Sequence, residues 1–532
     1  MALPESAQEE NEKEEVEEER CQSPACHPCA PSSELFDIST TVDPSYIISL
    51  IRKLIPHDVS NRNIPHGINE RKSFVQESGT GSIEESSMPR SGFLNSPKNG
   101  TDVMDIGIDF DGIDNRNEGD ETSSHNSEQP GESAGEEAWE EYGCILWDLA
   151  AHRTHAEFMV ENLLLEVLLA TLTVSKSARV TEISLGIIGN LACHEVPRKH
   201  IISMKGLVET IVDQLFLDDS QCLCETCRLL TLGLRGSGAV TWAGALHPEH
   251  ILCRILWIAE NTLNPQLLEK TLELLSAILN DQQEVTQILL QPLMELNLPA
   301  LLINLLAFEV NRLTGERTPD RYSVIETILR TIEALSAADN YSQVVSSNKE
   351  LFRLVYGLVT LPDKAEIASS CVTAVVLVAN ILTDAPSLTS EISQDISFLQ
   401  GLLEILPFVS DDPEARSALW SVLARILSEV QEDEMSPTTL HSYVLNLVDH
   451  LDFIEEDLID HQSEDLAGDD KRLTTVLKTN MTKSLSRVQS ILNRWTTTKG
   501  DVSRENSIRD DHVDERKINK LLHFCHKYIT RV

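Results

Sequence analysis

TEISLGIIGNLAC, residues 181–193, and CETCRLLTLGL, residues 224–234, decide how this chain is read. Each opens on small or charged residues, becomes dense in Leu and Ile, and closes near a small residue or Asn. The apolar positions fall at i, i+3, i+4 and i+7, the spacing of one helical face. The texture returns as LEKTLELLSAIL at 268–279 and IETILRTIEALS at 325–336. Weaker copies are CVTAVVLVANIL at 371–382 and RSALWSVLARIL at 416–427. An acidic residue near each start serves as a ruler: Glu182, Glu225, Glu269 and Glu326 lie 43, 44 and 57 residues apart. The last interval is long because the polar run NRLTGERTPDRYS, 311–323, reads as an inserted loop.

A period of about 40–47 residues is that of armadillo and HEAT repeats. Units of two or three helices, apolar on more than one face, cannot bury that surface alone and must stack. The fold expected is all-α, an armadillo/HEAT-type right-handed α-solenoid. Strand signals are nearly absent, with no Asn-Gly hairpin between alternating runs. Aromatic residues are only 5% of a chain that is 41% hydrophobic, so Leu, Ile, Val and Ala must fill the interior.

Outside the repeats the texture changes. Residues 1–40 are acidic and then rich in Ser, Pro and Cys, a composition expected to be disordered. Residues 41–56 hold a short amphipathic helix (Tyr46, Ile47, Ile48, Leu50, Ile51, Leu54, Ile55), with Asp43 as N-cap before Pro44. An isolated helix of that length is marginal in water, so it is expected to dock on the repeats. Residues 57–136 lack periodicity and read as a disordered acidic linker. The repeats are expected over 137–455. Residues 456–532 read as an acidic break followed by C-terminal amphipathic helices, the last with Lys517, Lys520, Lys527 and Arg531 around an apolar face. Closing the end of the solenoid is its expected role.

The 532 residues carry a net charge of −42. Residues 1–140 hold 30 acidic against 10 basic side chains and the remainder 55 against 33, so the acidity is general. Such a surface disfavours direct nucleic-acid binding, RNA included, and suits a basic protein partner. The opening MALPESAQEENEKEEVEEER lacks the basic and apolar regions of a secretory signal, and no apolar run reaches the roughly 18 residues of a membrane span. With 11 cysteines scattered through the chain, an intracellular protein with reduced thiols is expected, in the nucleus, the cytoplasm or both.

Within residues 141–245 the chain resembles a known family. Cys144-Ile145-Leu146-Trp147-Asp148, followed by Leu185-Gly186-Ile187-Ile188-Gly189-Asn190-Leu191-Ala192-Cys193, is similar to the serum-amyloid-A-like, or synoviocyte-proliferation-associated, family. Leu223-Cys224-Glu225-Thr226-Cys227-Arg228 and Ala239-Val240-Thr241-Trp242 support the likeness, as does the early helix. The resemblance implies an armadillo-repeat protein of the nucleus or cytoplasm linked to growth and proliferation. It implies no cofactor and no catalytic residue.

In armadillo proteins an Asn late in the last helix of a repeat can clamp an extended peptide, because its amide both donates and accepts. Asn190 and Asn380 occupy that place; either they line a protein-binding groove or they cap and bend their helices. The other copies put Gly233 or Leu232, Ala277, Ala334 and Arg425 there, which breaks the ladder an importin-like transport adaptor would need. Ser23, Ser96 and Ser436 each precede Pro and are minimal phosphorylation sites. Cys21, Cys26, His27 and Cys29 lack the matching second half of a zinc site. Cys222, Cys224 and Cys227 fan around a helix and cannot converge on one metal. The pairs His152/His155 and His523/His526 each lack a third ligand. No phosphate-binding loop, nucleophile elbow or zinc-protease helix occurs. The function expected is a non-enzymatic protein-interaction scaffold with no cofactor, metal or small-molecule substrate.

Overall fold

The computed structural model describes residues 42–55 and 133–531, except 281, 316–317, 339–340, 432–433, 465–470 and 503–513. Ser23, Ser96 and the cluster of Cys21, Cys26, His27 and Cys29 lie outside the described residues.

Two helices open the architecture, α1 (Pro44–Leu54) and α2 (Ser133–Ala150), and triplets follow. The first three are α3 (Arg153–Glu161), α4 (Leu164–Val174) and α5 (Ala178–Ala192); α6 (Glu195–Ser203), α7 (Leu207–Asp213) and α8 (Ser220–Arg235); α9 (Ala239–Leu246), α10 (Glu249–Asn261) and α11 (Pro265–Asn280). Next come α12 (Gln283–Glu295), α13 (Leu298–Gly315) and α14 (Tyr322–Ala337), then α15 (Ser342–Ser346), α16 (Lys349–Val359) and α17 (Ala368–Asp384). The last are α18 (Ser387–Ile392), α19 (Ile396–Ile405) and α20 (Pro413–Glu429), then α21 (Pro437–Asp449), α22 (Leu451–Glu464) and α23 (Lys471–Val502), with α24 (Glu515–Arg531) closing the chain. No strand occurs among the described residues.

The third helix of each triplet packs on the third helix of the next. An unbroken layer results: α2, α5, α8, α11, α14, α17, α20, α23. The second helices stack behind it, α4 on α7, α10 on α13 and on through α16, α19 and α22. This is a helical solenoid, and the stacking explains its all-aliphatic core. A long helix touches a neighbour on each side and its own short helices behind, so most of its circumference is apolar. In α5 the residues from Ile183 through Gly189 are buried without interruption.

Local signals set the helix starts. The side chain of Ser177 accepts from the Val180 backbone N–H, and Asp219 accepts from Gln221 and Cys222. Asp412 caps α20 in the same way ahead of Pro413. Three corners between the first and second helices of a triplet use left-handed backbone, at Leu163 (φ 66°), Gly206 (φ 85°) and Asn297 (φ 65°). Gly and Asn suit that conformation; a leucine there is strained.

The stack does not end at residue 455. The acidic stretch read as a break forms α22 over Leu451–Glu464, and α23 is the longest helix in the layer, packed on α20. Leu458 and Asp457 are buried in α22, the latter accepting from the Trp420 indole at 2.9 Å and paired with the buried Arg416 at 3.1 Å. Residues 311–323 are not a plain loop either. Helix α13 runs through them to Gly315, and a short turn follows. The buried Glu309 carboxylate holds Arg321 (Arg321 Nε to Glu309 Oε2, 2.7 Å), which fixes the extra length against the stack.

One stretch among the described residues, Ala365–Asp384, is long and apolar enough to cross a membrane, contrary to the expectation of none. It contains α17, which packs between α14 and α20, and 61% of its most apolar window is buried there. A helix enclosed on several sides has no reason to carry a polar half.

Candidate functional site

The residues that carry the family resemblance meet across α2, α5 and α8. Gly186 leaves room for Trp147: a Cβ at that position would come within 2.1 Å of the indole. One turn later, Gly189 admits the Arg228 guanidinium from α8, which a Cβ would meet at 2.4 Å. Arg228 is held by Glu225 at 2.6 Å, donates to the Gly186 carbonyl at 3.2 Å and reaches the Asn190 amide oxygen at 3.4 Å. The Asn190 amide in turn donates to the Trp147 carbonyl at 2.9 Å. Arg179 pairs with Glu182 at 2.6 Å, and His194 lies 3.2 Å from the Ala150 carbonyl. Arg179, Glu182, Glu225 and Arg228 are thus all paired, and both ends of the Asn190 amide are engaged by neighbouring repeats.

The same back-reach recurs along the layer with different chemistry. Asn380 donates to Ser336 Oγ at 2.9 Å. Arg425 donates to the Leu382 carbonyl at 2.6 Å and, behind the layer, Arg254 of α10 donates to the carbonyls of Leu215 and Leu217 at 2.8 Å each. Asn and Arg are thus interchangeable devices for tying one repeat to the last. Sequence reading treated Arg425 as a gap in an Asn ladder and left Arg228 without a role. For Asn190, Arg228, Asn380 and Arg425 the signal available was a polar side chain on a third helix, rather than one residue type.

A second stretch, across α14, α17 and α20, differs. On α14, Arg330 is engaged by Glu326 at 2.6 Å, and Thr373 of α17 also donates to Glu326 at 3.0 Å. Glu333, seven residues along α14, is half-buried and its carboxylate makes no hydrogen bond or ion pair among the described residues. Burial raises its pKa above the usual carboxylate value, and Glu326, Asp412 and Glu414 push the same way against Arg330. Between these walls α17 presents Ser369, Val372, Val376 and Asn380, exposed or half-buried at helical spacing. The arrangement is an acidic rim over a small apolar floor, with one amide at its end.

Cys222, Cys224 and Cys227 are all buried; Cys222 Sγ donates to the Ala178 carbonyl at 3.1 Å, and burial pushes the Cys227 thiol up to about 12. They act as core hydrophobes. His152 and His155 have ring centroids 5.7 Å apart. No group of three His, Cys, Asp or Glu able to hold a metal occurs among the described residues. Ser436 is exposed and is the N-cap of α21, accepting from the Thr439 N–H at 3.1 Å.

Searches against known proteins give the chain relatives. No protein-family model matches it. Protein saal1 of Danio rerio is 26% identical over 297 residues, covering 52% of this chain and 62% of that protein. The chain is similar to this SAAL1 protein over part of its length. Protein SAAL1 of Homo sapiens is 31% identical over 138 residues, 25% of this chain and 29% of the human protein. The saal1 protein of Xenopus tropicalis is 29% identical over 160 residues and is matched over 34% of its length. The chain thus spans less than two thirds of each of these SAAL1 relatives. Among solved structures, the designed armadillo repeat protein YIII(Dq)4CqI aligns over 46% of this chain with a TM-score of 0.36 and 14% identity.

Proposed function

We propose that the chain is a non-enzymatic protein-interaction scaffold, and that the face of the long-helix layer over α14, α17 and α20 receives an extended basic segment of its partner. The observation that carries this reading is Glu333, a half-buried carboxylate that makes no hydrogen bond or ion pair among the described residues, with Arg330 set against the nearby carboxylates of Glu326, Asp412 and Glu414, above Val372 and Val376. A Lys or Arg side chain entering there would pair with Glu333 and lay its methylenes on the valines. Asn380 would supply the backbone contact expected of a late Asn in such a helix. The acidic chain as a whole would speed the approach of such a partner. A place in the nucleus or cytoplasm, and a link to growth, are supported by the family resemblance and complete the proposal.

The test is fluorescence anisotropy of an extended Lys/Arg octapeptide against the full chain and three variants. Glu333→Gln and Glu414→Gln should each weaken binding by roughly tenfold, equivalent to about 1.4 kcal/mol. Glu195→Gln, an exposed residue on α6, serves as the control for net charge. Equal losses in all three variants would show the peptide reading bulk charge rather than this surface.

A further inference from the structure

The chain's acidity stops at the last helix of the long-helix layer. The final 62 residues hold 14 Lys and Arg against 6 Asp and Glu, and the 470 before them hold 29 against 79. From Lys471 to Gly500, most of α23, seven basic residues occur and no acidic one. Helix α24 is basic as well, but there Lys520 is engaged by Glu455 of α22 at 2.6 Å. Lys483 of α23 has no such answer. It is exposed, and its ammonium makes no hydrogen bond or ion pair among the described residues.

Helical spacing gathers the exposed side chains of α23 on one line. Arg472, Val476, Thr479, Lys483, Ser486 and Arg494 face solvent, while Met481 and Val488 on the opposite side are buried. Arg472, Lys483 and Arg494 follow one another at 11 residues, three turns or about 16 Å along the axis. Between them Val476 is 52% exposed. Thr479 donates to the Thr475 carbonyl and Ser486 to the Thr482 carbonyl, each at 2.8 Å. With their protons turned to the helix, these hydroxyls offer acceptors outward. The neighbouring long helix α20 carries no carboxylate between Glu414 and Glu429, and Ser421, Arg425 and Ser428 are half-buried along it.

We propose that this stripe is the docking surface for an acidic segment of a partner protein, lying extended along α23. Carboxylates about five residues apart would match the cations, since an extended chain rises about 3.3 Å per residue. Lys483 receives the central carboxylate, Val476 an apolar side chain, and Thr479 and Ser486 backbone N–H groups. The hydroxyls separate a peptide from a nucleic acid, because a peptide backbone donates whereas a phosphodiester backbone only accepts. Base stacking also lacks a platform, as Trp495, the one aromatic residue of α23, is buried. A long polyanion would in addition run onto the acidic repeats that precede α23. The site is opposite in sign to the surface over α14 and α17 and does not depend on it.

The experiment is fluorescence anisotropy of a labelled peptide of about twelve residues, with Glu at every fifth position among Ser and Val, against the full chain. Lys483→Glu should weaken binding roughly tenfold at low salt and Thr479→Val severalfold, both with an unchanged melting temperature. Lys205→Glu alters an exposed lysine outside the stripe, changes net charge equally and should cost less than twofold. Equal losses in the two Lys→Glu variants overturn the proposal, since the peptide would then be reading bulk charge. So does an unchanged affinity in either α23 variant. Tighter binding of an oligothymidylate of the same length, lost in Lys483→Glu, overturns it in favour of nucleic acid. Self-association of wild type in sedimentation, abolished by Lys483→Glu, overturns it in favour of the acidic surface of a second copy.

Discussion

The long-helix layer has two characters. Over α2, α5 and α8 the polar groups are matched: Glu225 with Arg228, Arg228 with the Gly186 carbonyl, Asn190 with Trp147 and Arg228. Over α14, α17 and α20, Glu333 is desolvated, has three carboxylates near it against Arg330 alone, and makes no hydrogen bond or ion pair among the described residues. Folding alone favours the first arrangement, since a half-buried charge without a partner opposes the native state. The difference teaches that resemblance to relatives marks architecture here. The residues that made the chain recognisable close a joint, while the surface proposed above to receive a basic segment lies in later repeats.

The largest effect should come from filling the joint. Gly186→Ala places a Cβ within 2.1–2.6 Å of several atoms of the Trp147 ring, which is wedged between α2 and α5 rather than being a free side-chain end. A loss of about 3 kcal/mol is expected, the upper range for overpacking, read from urea unfolding. Arg228→Met should follow at about 2 kcal/mol, because it leaves Glu225 and the Gly186 carbonyl without their charged donor. Neither change should alter peptide affinity at α14–α20 in molecules that remain folded. If either did, the two stretches would not be separate devices.

How much of this was legible follows from the range of each interaction. The period of 43 and 44 residues between Glu182, Glu225 and Glu269 is a one-dimensional signal, and it gave the all-helical stack directly. Caps such as Ser177 and Asp219 act within three residues and are equally readable. The partners of Asn190 lie 38 and 43 residues away, on two different helices, and their meeting depends on how helices rotate as they stack. The same holds for Glu333, whose neighbours Asp412 and Glu414 come from two repeats later. Residues 311–323 misled because their composition is that of a loop. Only the pairing of Glu309 with Arg321 shows how helix and turn share that length.

The middle stretch yields a prediction of opposite sign. Glu333→Gln removes a carboxylate whose pKa is raised by burial first and by like charges second. A raised carboxyl pKa means that the folded state favours the proton. Its contribution to stability is fully present below the unfolded-state pKa and is lost as pH rises through the folded-state value. The variant should therefore melt higher than wild type at pH 7, and the gap should close below about pH 4. Combined with the loss of basic-peptide affinity, this gives one substitution that stabilises the molecule and weakens its binding. A variant that destabilises at pH 7 would show that Glu333 has a partner in solution, and the comparison would fail.

The smallest effect separates the two asparagines. Asn190→Ala removes a donor to Trp147 and an acceptor for Arg228, so about 1–2 kcal/mol of stability should go, with peptide affinity unchanged. Asn380→Ala removes one neutral bond to Ser336 Oγ. Ser336 keeps its own donation to the Glu333 carbonyl at 2.7 Å, so the loss should stay near 1 kcal/mol or below. Its larger consequence should appear in binding, as a severalfold fall in affinity for the Lys/Arg peptide, because the amide lies at the end of the valine floor. Should Asn380→Ala leave affinity untouched, the two asparagines are the same structural device. The face over α14, α17 and α20 would then recognise its ligand through charge and apolar contact alone.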